Sequence, residues 1–398
     1  MTDPWEAFAR RAAGAEVAGY FEEAPRPGRR AARALWFDRA DEVRAVQRAA
    51  HLTELVRHSD RFLRRRSAAV LGYFGFDAVG LFEPALARYP QGDPFPLGEF
   101  AFARRFSEHR WIPAPAPLRR ERRLPRAPPR ADSLGTTDYG RAVRRLITEI
   151  RNGEAFQVVL AHRRRWKRPD DLLERAGRLR AAERYTFFYY LRFGDRTIVG
   201  ASPESVLEVE GRRAFVNPIA GTIPTGRGRA GRRALEVDPK ELAEHRMLVD
   251  LARNDLGRVA EPGSVRLLVE ERRERFARLE HLVSHVGAQL APGAGPWQAL
   301  AATFPAGTVS GAPKIRATQL LRREEGTWRG PYAGTVGLLR PGGRATWALT
   351  IRSAFATRQD LYTAAGAGIV HRSRPAREFQ ETLTKLAQVE ASLVGEPG

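Results

Sequence analysis

Carboxylate pairs on two predicted helices are the clearest chemical pattern in the sequence. Glu241 and Glu244 lie three residues apart, and so do Glu378 and Glu381. Side chains at this spacing project from the same face of a helix, and carboxylate oxygens are the ligands that Mg²⁺ prefers. Two such pairs could hold a Mg²⁺ between two helices. The spacing also fits a simpler interpretation, in which Glu241 completes a helix cap and Glu244 is solvated.

Three glycine-rich segments could bring backbone N–H groups close to an anion. Gly307–Lys314 precedes a predicted helix that begins near Ile315, and the first turn of a helix suits an anion. This segment does not match a nucleotide-binding P-loop, because its lysine is neither preceded by Gly nor followed by Ser or Thr. Gly366–Gly368 follows a predicted strand, and Pro218–Thr222 is a third predicted turn. Glycine also serves ordinary turn geometry at such positions.

The two helices that carry the carboxylates have clear boundaries. The first is predicted over Asp238–Leu256, which starts at a favourable N-cap residue and ends before Gly257. The second is predicted over Pro375–Leu393 and carries Lys385 one turn after Glu381. These two helices would position all four carboxylates.

The remaining predicted elements indicate the fold class. Two further helices are predicted over Asp41–Arg57 and Thr137–Asn152. The strands come in runs and do not alternate with helices, which predicts an α+β fold with largely antiparallel sheets. The predicted strands are Ala68–Phe76, Ala155–Ala161, Thr186–Phe193, Thr197–Ala201, Ser205–Glu210, Arg213–Val216, Gly334–Leu339, Ala345–Ala354 and Asp360–Ala365.

A stretch rich in proline and arginine, residues 111–132, divides the chain. Its prolines exclude a regular helix or central strand, so it is predicted to be a linker or an extended arm. Arginines interrupted by proline could also contact RNA. The predicted organisation is an N-terminal region over residues 1–110, the linker, and a domain over residues 133–396 that carries the carboxylates.

Composition excludes several classes of chemistry. The 398 residues contain no cysteine, which rules out disulfides, thiol nucleophiles and cysteine-ligated metal centres in this chain. The net charge of +21 fits a nucleic-acid binder, an enzyme for a small anionic substrate, or an arginine-rich surface. No apolar run approaches the ~20 residues of a membrane span, and charges interrupt the N-terminus, so we expect a cytoplasmic protein.

Taken in order, the motifs resemble those of the chorismate-utilising enzymes, and within them the anthranilate synthase component I group. The matching segments lie between residues 135 and 393, with a weaker likeness at Leu71–Val79. They are FQVVLA at Phe156–Ala161, GASPES at Gly200–Ser205, PIAGT at Pro218–Thr222, the helix over Asp238–Leu256, EHLVSHV at Glu280–Val286, GTVSGAPKIRA at Gly307–Ala317, the Tyr332 segment, ALTIRSA at Ala348–Ala354, and AGAG followed by Glu378, Glu381 and Lys385.

The resemblance implies a fold and a reaction. The fold would be an α/β sandwich of two large antiparallel sheets with outer helices and an active site in the cleft between the sheets. The N-terminal region would contribute to the sandwich and would be shorter than in other members. The implied reaction adds ammonia to C2 of chorismate, expels the C4 hydroxyl and eliminates pyruvate to give anthranilate, a step of tryptophan biosynthesis.

The resemblance also assigns the metal ligands. Glu244 and Glu381 match the direct ligands of Mg²⁺ in this family, and Glu241 and Glu378 match carboxylates that hold the metal through water. The ion would bind the ring carboxylate of the substrate and neutralise charge as the substrate rearranges.

Further residues match the catalytic and substrate-binding groups of the family. Glu204 matches the proposed general acid for the departing C4 hydroxyl, so we expect burial to raise its pKa. His281 matches a histidine placed near the same hydroxyl, and Thr308, counted among the catalytic residues, matches a donor to the substrate carboxylates. The implied substrate-binding groups are Tyr332, Arg352, Lys385 and the backbone amides of Gly366 to Gly368.

Two positions discriminate among relatives. Isochorismate- and salicylate-forming members carry a lysine where this sequence has Gln157, and most aminodeoxychorismate synthases carry a nucleophilic lysine where it has Ala220. The chain has only four lysines and 63 arginines, so each lysine position is informative. Aminodeoxychorismate synthase and aminodeoxyisochorismate synthase remain alternatives. An arginine-rich nucleic-acid-binding protein with relic motifs is disfavoured, because the carboxylate set is intact.

The missing cysteine also has a consequence for the ammonia supply. Glutamine amidotransferases of this family use a cysteine nucleophile, which the chain lacks. The resemblance therefore implies a separate glutamine amidotransferase subunit, or free ammonia, as the nitrogen source.

We predict weak or no feedback inhibition by tryptophan. Regulated members carry an LLES segment near the N-terminus and NPSPY before the FF strand. This sequence lacks LLES and has Ala181–Tyr185 at the second place. A calorimetric titration should detect no tight tryptophan binding, and binding in the micromolar range would contradict the prediction.

Overall fold

The protein is described here by a computed structural model. It describes residues 3–26, 30–87, 93–112, 128–183, 185–224, 239–276 and 279–395, with the backbone alone at 220–224, 239–241, 243–244, 271–276 and 279–282.

The described strands form two antiparallel sheets of ten strands each. They are β1 (Val17–Glu23), β2 (Ala32–Phe37), β3 (Glu42–Val46), β4 (Ala69–Phe74), β5 (Gly98–Ala103), β6 (Ser107–Trp111), β7 (Ala131–Asp132), β8 (Gln157–Lys167), β9 (Phe187–Phe193), β10 (Arg196–Ser202), β11 (Ser205–Glu210), β12 (Arg213–Val216), β13 (Ile219–Pro224), β14 (Arg266–Phe276), β15 (Leu279–Gln289), β16 (Gly311–Ala312), β17 (Thr335–Arg340), β18 (Arg344–Leu349), β19 (Ser353–Ala356) and β20 (Asp360–Ile369).

Helices connect and cover the sheets. They are α1 (Pro4–Ala12), α2 (Ala49–Phe62), α3 (Val79–Phe82), α4 (Thr136–Arg151), α5 (Leu172–Ala182), α6 (Pro239–Gly257), α7 (Pro296–Thr303), α8 (Gly307–Ser310), α9 (Lys314–Glu325) and α10 (Pro375–Leu393), with short 3₁₀ turns at Phe76–Ala78 and Pro84–Leu86. The two helices that were predicted to carry the carboxylate pairs are α6 and α10. Each begins and ends within a residue or two of its predicted bounds.

Each sheet contains strands from the N-terminal region and strands from the rest of the chain. The first sheet runs β16-β8-β20-β19-β10-β9-β1-β2-β6, with β7 beside β8. The second runs β13-β15-β12-β11-β18-β17-β4-β5-β3, with β14 beside β15. The N-terminal strands therefore extend one edge of each sheet. The predicted α+β class and antiparallel sheets are confirmed.

Aromatic side chains fill the core and fasten the outer helices. Between the sheets, the rings of Tyr73 and Phe193 lie 6.2 Å apart. On the outer face of the second sheet, Trp297 of α7 packs 5.3 Å from Trp347 of β18. On the outer face of the first sheet, Trp5 of α1 packs edge-on against Phe188 of β9. Such pairs supplement the apolar area that the sandwich buries.

Three predictions of local structure are wrong. Asp41–Arg57 is a strand, β3, followed by the helix α2. Residues 42–46 alternate in burial with a period of two and pair with β5, which overrides their helical spacing. Pro218–Thr222 is not a turn, because β13 starts at Ile219. Ala345–Ala354 is two strands that belong to different sheets.

Within the parts of the chain that the structure describes, no helix is both long and apolar enough to cross a membrane. Most of the arginine-rich stretch, residues 113–127, lies outside the described residues.

Candidate active site

The site is built where two neighbouring segments cross from one sheet to the other. Pro203 and Glu204 connect β10 in the first sheet to β11 in the second, and Thr350 to Arg352 connect β18 in the second to β19 in the first. The crossings are hydrogen-bonded to each other, because the Leu349 amide donates to the Glu204 carbonyl at 3.0 Å and the Ala201 amide donates to the Arg352 carbonyl at 3.1 Å. A carboxylate and a guanidinium thus enter the cleft from adjacent backbone segments.

Glu204 is held in place by short polar contacts. The Ser202 hydroxyl donates to the Glu204 carbonyl at 3.1 Å and accepts from the Glu204 amide at 3.3 Å. The Thr308 hydroxyl donates to Oε1 of the carboxyl group at 2.8 Å. The residue is 8% exposed. Backbone and side chain are therefore fixed before a ligand binds.

Burial changes the acidity of Glu204. Loss of solvation raises the pKa of its carboxyl group to about 7, and the hydrogen bond from Thr308 opposes this rise. The expected rise in pKa is found. A carboxyl group with this pKa is substantially protonated at neutral pH and can act as a proton donor.

The raised pKa predicts a pH-dependent gain in stability for Glu204→Gln. Because the folded protein binds this proton more tightly than the unfolded chain, the stabilisation is present below the unfolded pKa and is lost as the pH rises through about 7. At about pH 4.5, the variant and the parent should therefore have the same free energy of unfolding. At about pH 9, the free energy of unfolding of the variant should be higher by about 3 kcal/mol.

Urea unfolding at the two pH values tests this prediction. Glu174→Gln, at an exposed side chain, controls for the loss of one negative charge. An equal stability difference between Glu204→Gln and the parent at both pH values would contradict the raised pKa.

The loop that presents Thr308 is shaped by close backbone contacts. Gly311 follows α8 with a φ of +127°, a conformation that favours glycine. A Cβ atom at Gly311 would also collide with the backbone carbonyl of Gln157. The glycines of this motif therefore allow the loop to lie directly against β8.

Tyr332 and Arg352 face the same part of the cleft. Tyr332 is 4% exposed, and burial raises the pKa of its phenol to about 12. The charges of Arg329 and Arg352 and a hydrogen bond from the Gly366 backbone oppose this rise. Burial lowers the pKa of the Arg352 guanidinium, and the charges of Tyr332, Glu183 and Glu381 oppose this effect. Arg352 has a φ of +51°, so the crossing holds it in a conformation that is uncommon for a side-chain-bearing residue.

Gln157 and the AGAG segment are neighbours on paired strands. Residues of β20 run antiparallel to β8, so that Gly368 lies opposite Val159. A Cβ atom at Gly368 would lie 2.6 Å from the Gln157 side-chain nitrogen. The amide of Gln157 occupies the space that this glycine leaves, and its side chain is buried.

Lys385 is already paired in this structure. Its ammonium donates to the Gly366 carbonyl at 2.8 Å and lies 2.7 Å from a carboxylate oxygen of Glu381. Glu381 therefore links the predicted metal site to the segment predicted to bind carboxylates. Glu378, one turn earlier on α10, is buried, and both glutamates act electrostatically on Tyr139.

Four predicted site positions lie outside the described side chains. The side chains of Glu241, Glu244 and His281 are not described, and neither is that of Ala220. Their backbones are, and the register of β13 and β15 places Ala220 opposite Leu282, next to His281. Among the described residues there is no group of three or more His, Asp or Glu that could hold a metal by itself.

Two buried ion pairs beside the site were not predicted from the sequence. Arg329 binds Glu325 at 2.6 Å and donates to the carbonyls of Val159 and Val309, which ties β8 to the loop of Thr308. Lys314 binds Asp255 at 2.8 Å. The i, i+4 spacing of Glu325 and Arg329 and the rarity of lysine were the available signals.

The crossings between the two large sheets hold Glu204 and Arg352 on adjacent backbone segments, and comparison with known proteins gives the family. Residues 17–391 match the family described as chorismate binding enzyme. The chain belongs to this family.

Several of its relatives with known names are anthranilate synthase component 1 proteins. It is 46% identical over 240 residues to anthranilate synthase component 1 of Methanothermobacter marburgensis, covering 59% of this chain and 52% of that protein. It is 42% identical over 301 residues to the protein of that name in Thermus thermophilus, covering 74% and 64%. It is 36% identical over 367 residues to that of Pseudomonas putida, covering 81% and 74%. The chain thus spans about half to three quarters of these relatives.

Solved structures agree on the fold. Anthranilate synthase component I from Streptococcus pneumoniae superposes with a TM-score of 0.72 at 32% identity, covering 81% of this chain and 80% of that one. The menaquinone-specific isochorismate synthase from Escherichia coli superposes with a TM-score of 0.78 at 18% identity, covering 98% and 92%. The predicted two-sheet sandwich is confirmed.

Proposed function

We propose that this protein converts chorismate and ammonia to anthranilate and pyruvate. The observation that carries the proposal is the buried Glu204, which has a pKa of about 7, accepts a hydrogen bond from Thr308 and lies beside the Arg352 crossing. The names of the relatives at 36% to 46% identity support the same reaction.

In this reaction, each site residue would have a role that fits its chemistry. The Glu204 carboxyl gives its proton to the C4 hydroxyl, which leaves as water. Arg352 and the Tyr332 hydroxyl bind the carboxylate of the enolpyruvyl group, and the amides of Gly366 and Gly368 bind the substrate carboxylates. Thr308 orients Glu204. His281 lies near the departing hydroxyl in this proposal.

Mg²⁺ fits the donor chemistry of the site. Glu381 is a partly exposed carboxylate that is paired with Lys385, and carboxylate oxygens suit a hard cation. Glu244 and Glu381 would bind the ion directly, and Glu241 and Glu378 would do so through water. When bound, the metal would neutralise the ring carboxylate of the substrate.

Gln157 favours amination over hydration. A glutamine amide cannot remove a proton from water as a lysine amine can. This observation disfavours an isochorismate-forming reaction. Ala220 disfavours a covalent route through lysine, although aminodeoxychorismate and aminodeoxyisochorismate synthases remain the alternative functions within the family.

The nitrogen source provides a test. The chain contains no cysteine, so a separate glutamine amidotransferase subunit must release ammonia from glutamine. The purified chain should therefore consume chorismate with ammonium at alkaline pH and should not do so with glutamine alone. Equal turnover with glutamine, in a preparation free of other proteins, would contradict the need for a partner. The proposed setting is the cytoplasm.

A further inference from the structure

A buried lysine beside the site is not used by the proposed reaction. Lys314 begins α9, and its ammonium donates to Asp255 at 2.8 Å and to the Thr303 carbonyl at 3.0 Å. Its side chain is 12% exposed and that of Asp255 is 9% exposed. The ion pair joins the last turns of α6 to the loop that carries Thr308.

The choice of lysine at this position is unusual for the chain. Basic residues comprise 63 arginines and four lysines, so arginine serves almost everywhere that only positive charge is needed. An arginine cannot release its proton in a protein, whereas a buried lysine can. Burial lowers the pKa of Lys314 and raises the pKa of Asp255, which brings the two groups closer to sharing a proton.

A small cavity lies between this pair and the proposed general acid. It has a volume of about 30 Å³, and its polar lining includes Glu204, Thr308, Thr303 and Asp255. A polar cavity of more than ~10–15 Å³ can hold a water molecule when it offers several hydrogen-bonding groups. Water here would have carboxyl groups at both ends of the cavity.

The other side of the pair leads towards solvent. Arg258, which directly follows the last residue of α6, is exposed and lies 3.9 Å from Glu83. Both charges act on Lys314, with Arg258 lowering its pKa and Glu83 raising it. The Asp255–Lys314 pair therefore lies between the cavity, which Asp255 lines, and a charged surface.

We propose that the Asp255–Lys314 pair returns a proton to Glu204 through water in this cavity after each turnover. The inference rests on the proposed function, in which Glu204 gives its proton to the departing hydroxyl. The Lys314 ammonium gives one proton to the Asp255 carboxylate, which lines the cavity. Asp255 passes one proton to the cavity water, the water passes one proton to the Glu204 carboxylate, and the neutral Lys314 amine regains a proton from solvent. This route does not require solvent to reach Glu204 directly while substrate occupies the site.

The distinguishing test is the first turnover. Lys314→Arg keeps the positive charge, but the guanidinium cannot release its proton. Below about pH 7, resting Glu204 still carries its proton, so rapid-quench kinetics should show a first turnover within about twofold of the parent. Later turnovers should be slower by about tenfold or more, since general acid catalysis contributes ~10²–10⁴-fold. A merely structural role would slow the first turnover as well.

A second variant tests the proton route without changing the ion pair, so that misfolding caused by a change at Lys314 cannot explain the result. Ala252 lines the cavity from α6, and Ala252→Val fills the water site without touching Lys314. It should give the same burst followed by slow turnover. Lys167→Arg, at an exposed lysine, is the matched control and should behave as the parent does.

The outcomes separate the two proposals. A parent chain that makes no anthranilate contradicts the proposed function. A parent chain that makes anthranilate, with both variants showing equal first and later turnovers, overturns the proton route alone. A high-resolution crystal structure should show ordered water between Glu204 and Asp255, and a dry cavity would overturn the route whatever the activity.

Discussion

Glu204→Gln should lower kcat for anthranilate formation by about 10²–10⁴-fold, the range that general acid catalysis contributes. The amide has the shape of the protonated carboxyl group and keeps the acceptor for Thr308 at Oε1, but it has no acidic proton. KM for chorismate should change little, because the substrate carboxylates are bound by other groups. Steady-state kinetics with ammonium as the nitrogen source measure both constants.

The control for this variant lies on β11, the strand that follows Glu204. Glu210→Gln is at the exposed end of β11, away from the crossing, and should retain the parent kcat. The parent should also lose activity as the pH rises through about 7, the pKa of Glu204, once free ammonia is held constant. A Glu204→Gln enzyme with kcat near that of the parent would remove Glu204 from the mechanism.

Glu381→Gln should abolish Mg²⁺-dependent turnover and leave the fold intact. The neutral amide replaces one of the two carboxylates proposed to bind Mg²⁺ directly. Even residues that only support a metal ligand contribute ~10–100-fold to metal affinity. Because Glu381 is partly exposed and its ion pair is with Lys385, loss of its charge should not unfold α10. Calorimetric titration with Mg²⁺ measures affinity without any need for activity, and circular dichroism reports the fold.

Two comparisons make the Glu381 result specific. Gln380→Ala, at the exposed neighbour on α10, should bind Mg²⁺ as the parent does. Lys385→Met breaks the same ion pair but keeps the carboxylate, so it should not weaken Mg²⁺ binding. If Lys385→Met and Glu381→Gln reduced the affinity equally, the ion pair would be the cause and the metal assignment would be wrong.

The periodic parts of the fold were predictable from the sequence, and the crossings between sheets were not. The predicted bounds of α10 and β11 are confirmed, because strong local patterns and terminal Pro or Gly residues define them. The break between β18 and β19 carries no such mark, since Thr350 and Ile351 favour strands as their neighbours do. Only pairing with distant strands decides that this segment changes sheet at Arg352.

The candidate site was predictable mainly as a set of motifs. Sequence resemblance selected Glu204, Thr308, Tyr332 and Arg352, and the structure brings the elements that carry them to one cleft. The sequence resemblance could not reveal that Thr308 is the hydrogen-bond partner of Glu204, or that Lys314 forms an ion pair with Asp255. Those contacts join residues 104 and 59 positions apart, a range over which local patterns contain no information.

The most direct test of the central proposal is the identity of the product. The purified chain is incubated with chorismate, Mg²⁺ and ammonium at alkaline pH, and anthranilate is followed by its fluorescence and confirmed by mass spectrometry. We expect anthranilate and pyruvate to form in equal amounts, and only when Mg²⁺ is present. If no anthranilate forms and 4-aminobenzoate appears only after an aminodeoxychorismate lyase is added, the chain is an aminodeoxychorismate synthase and the proposed function is wrong.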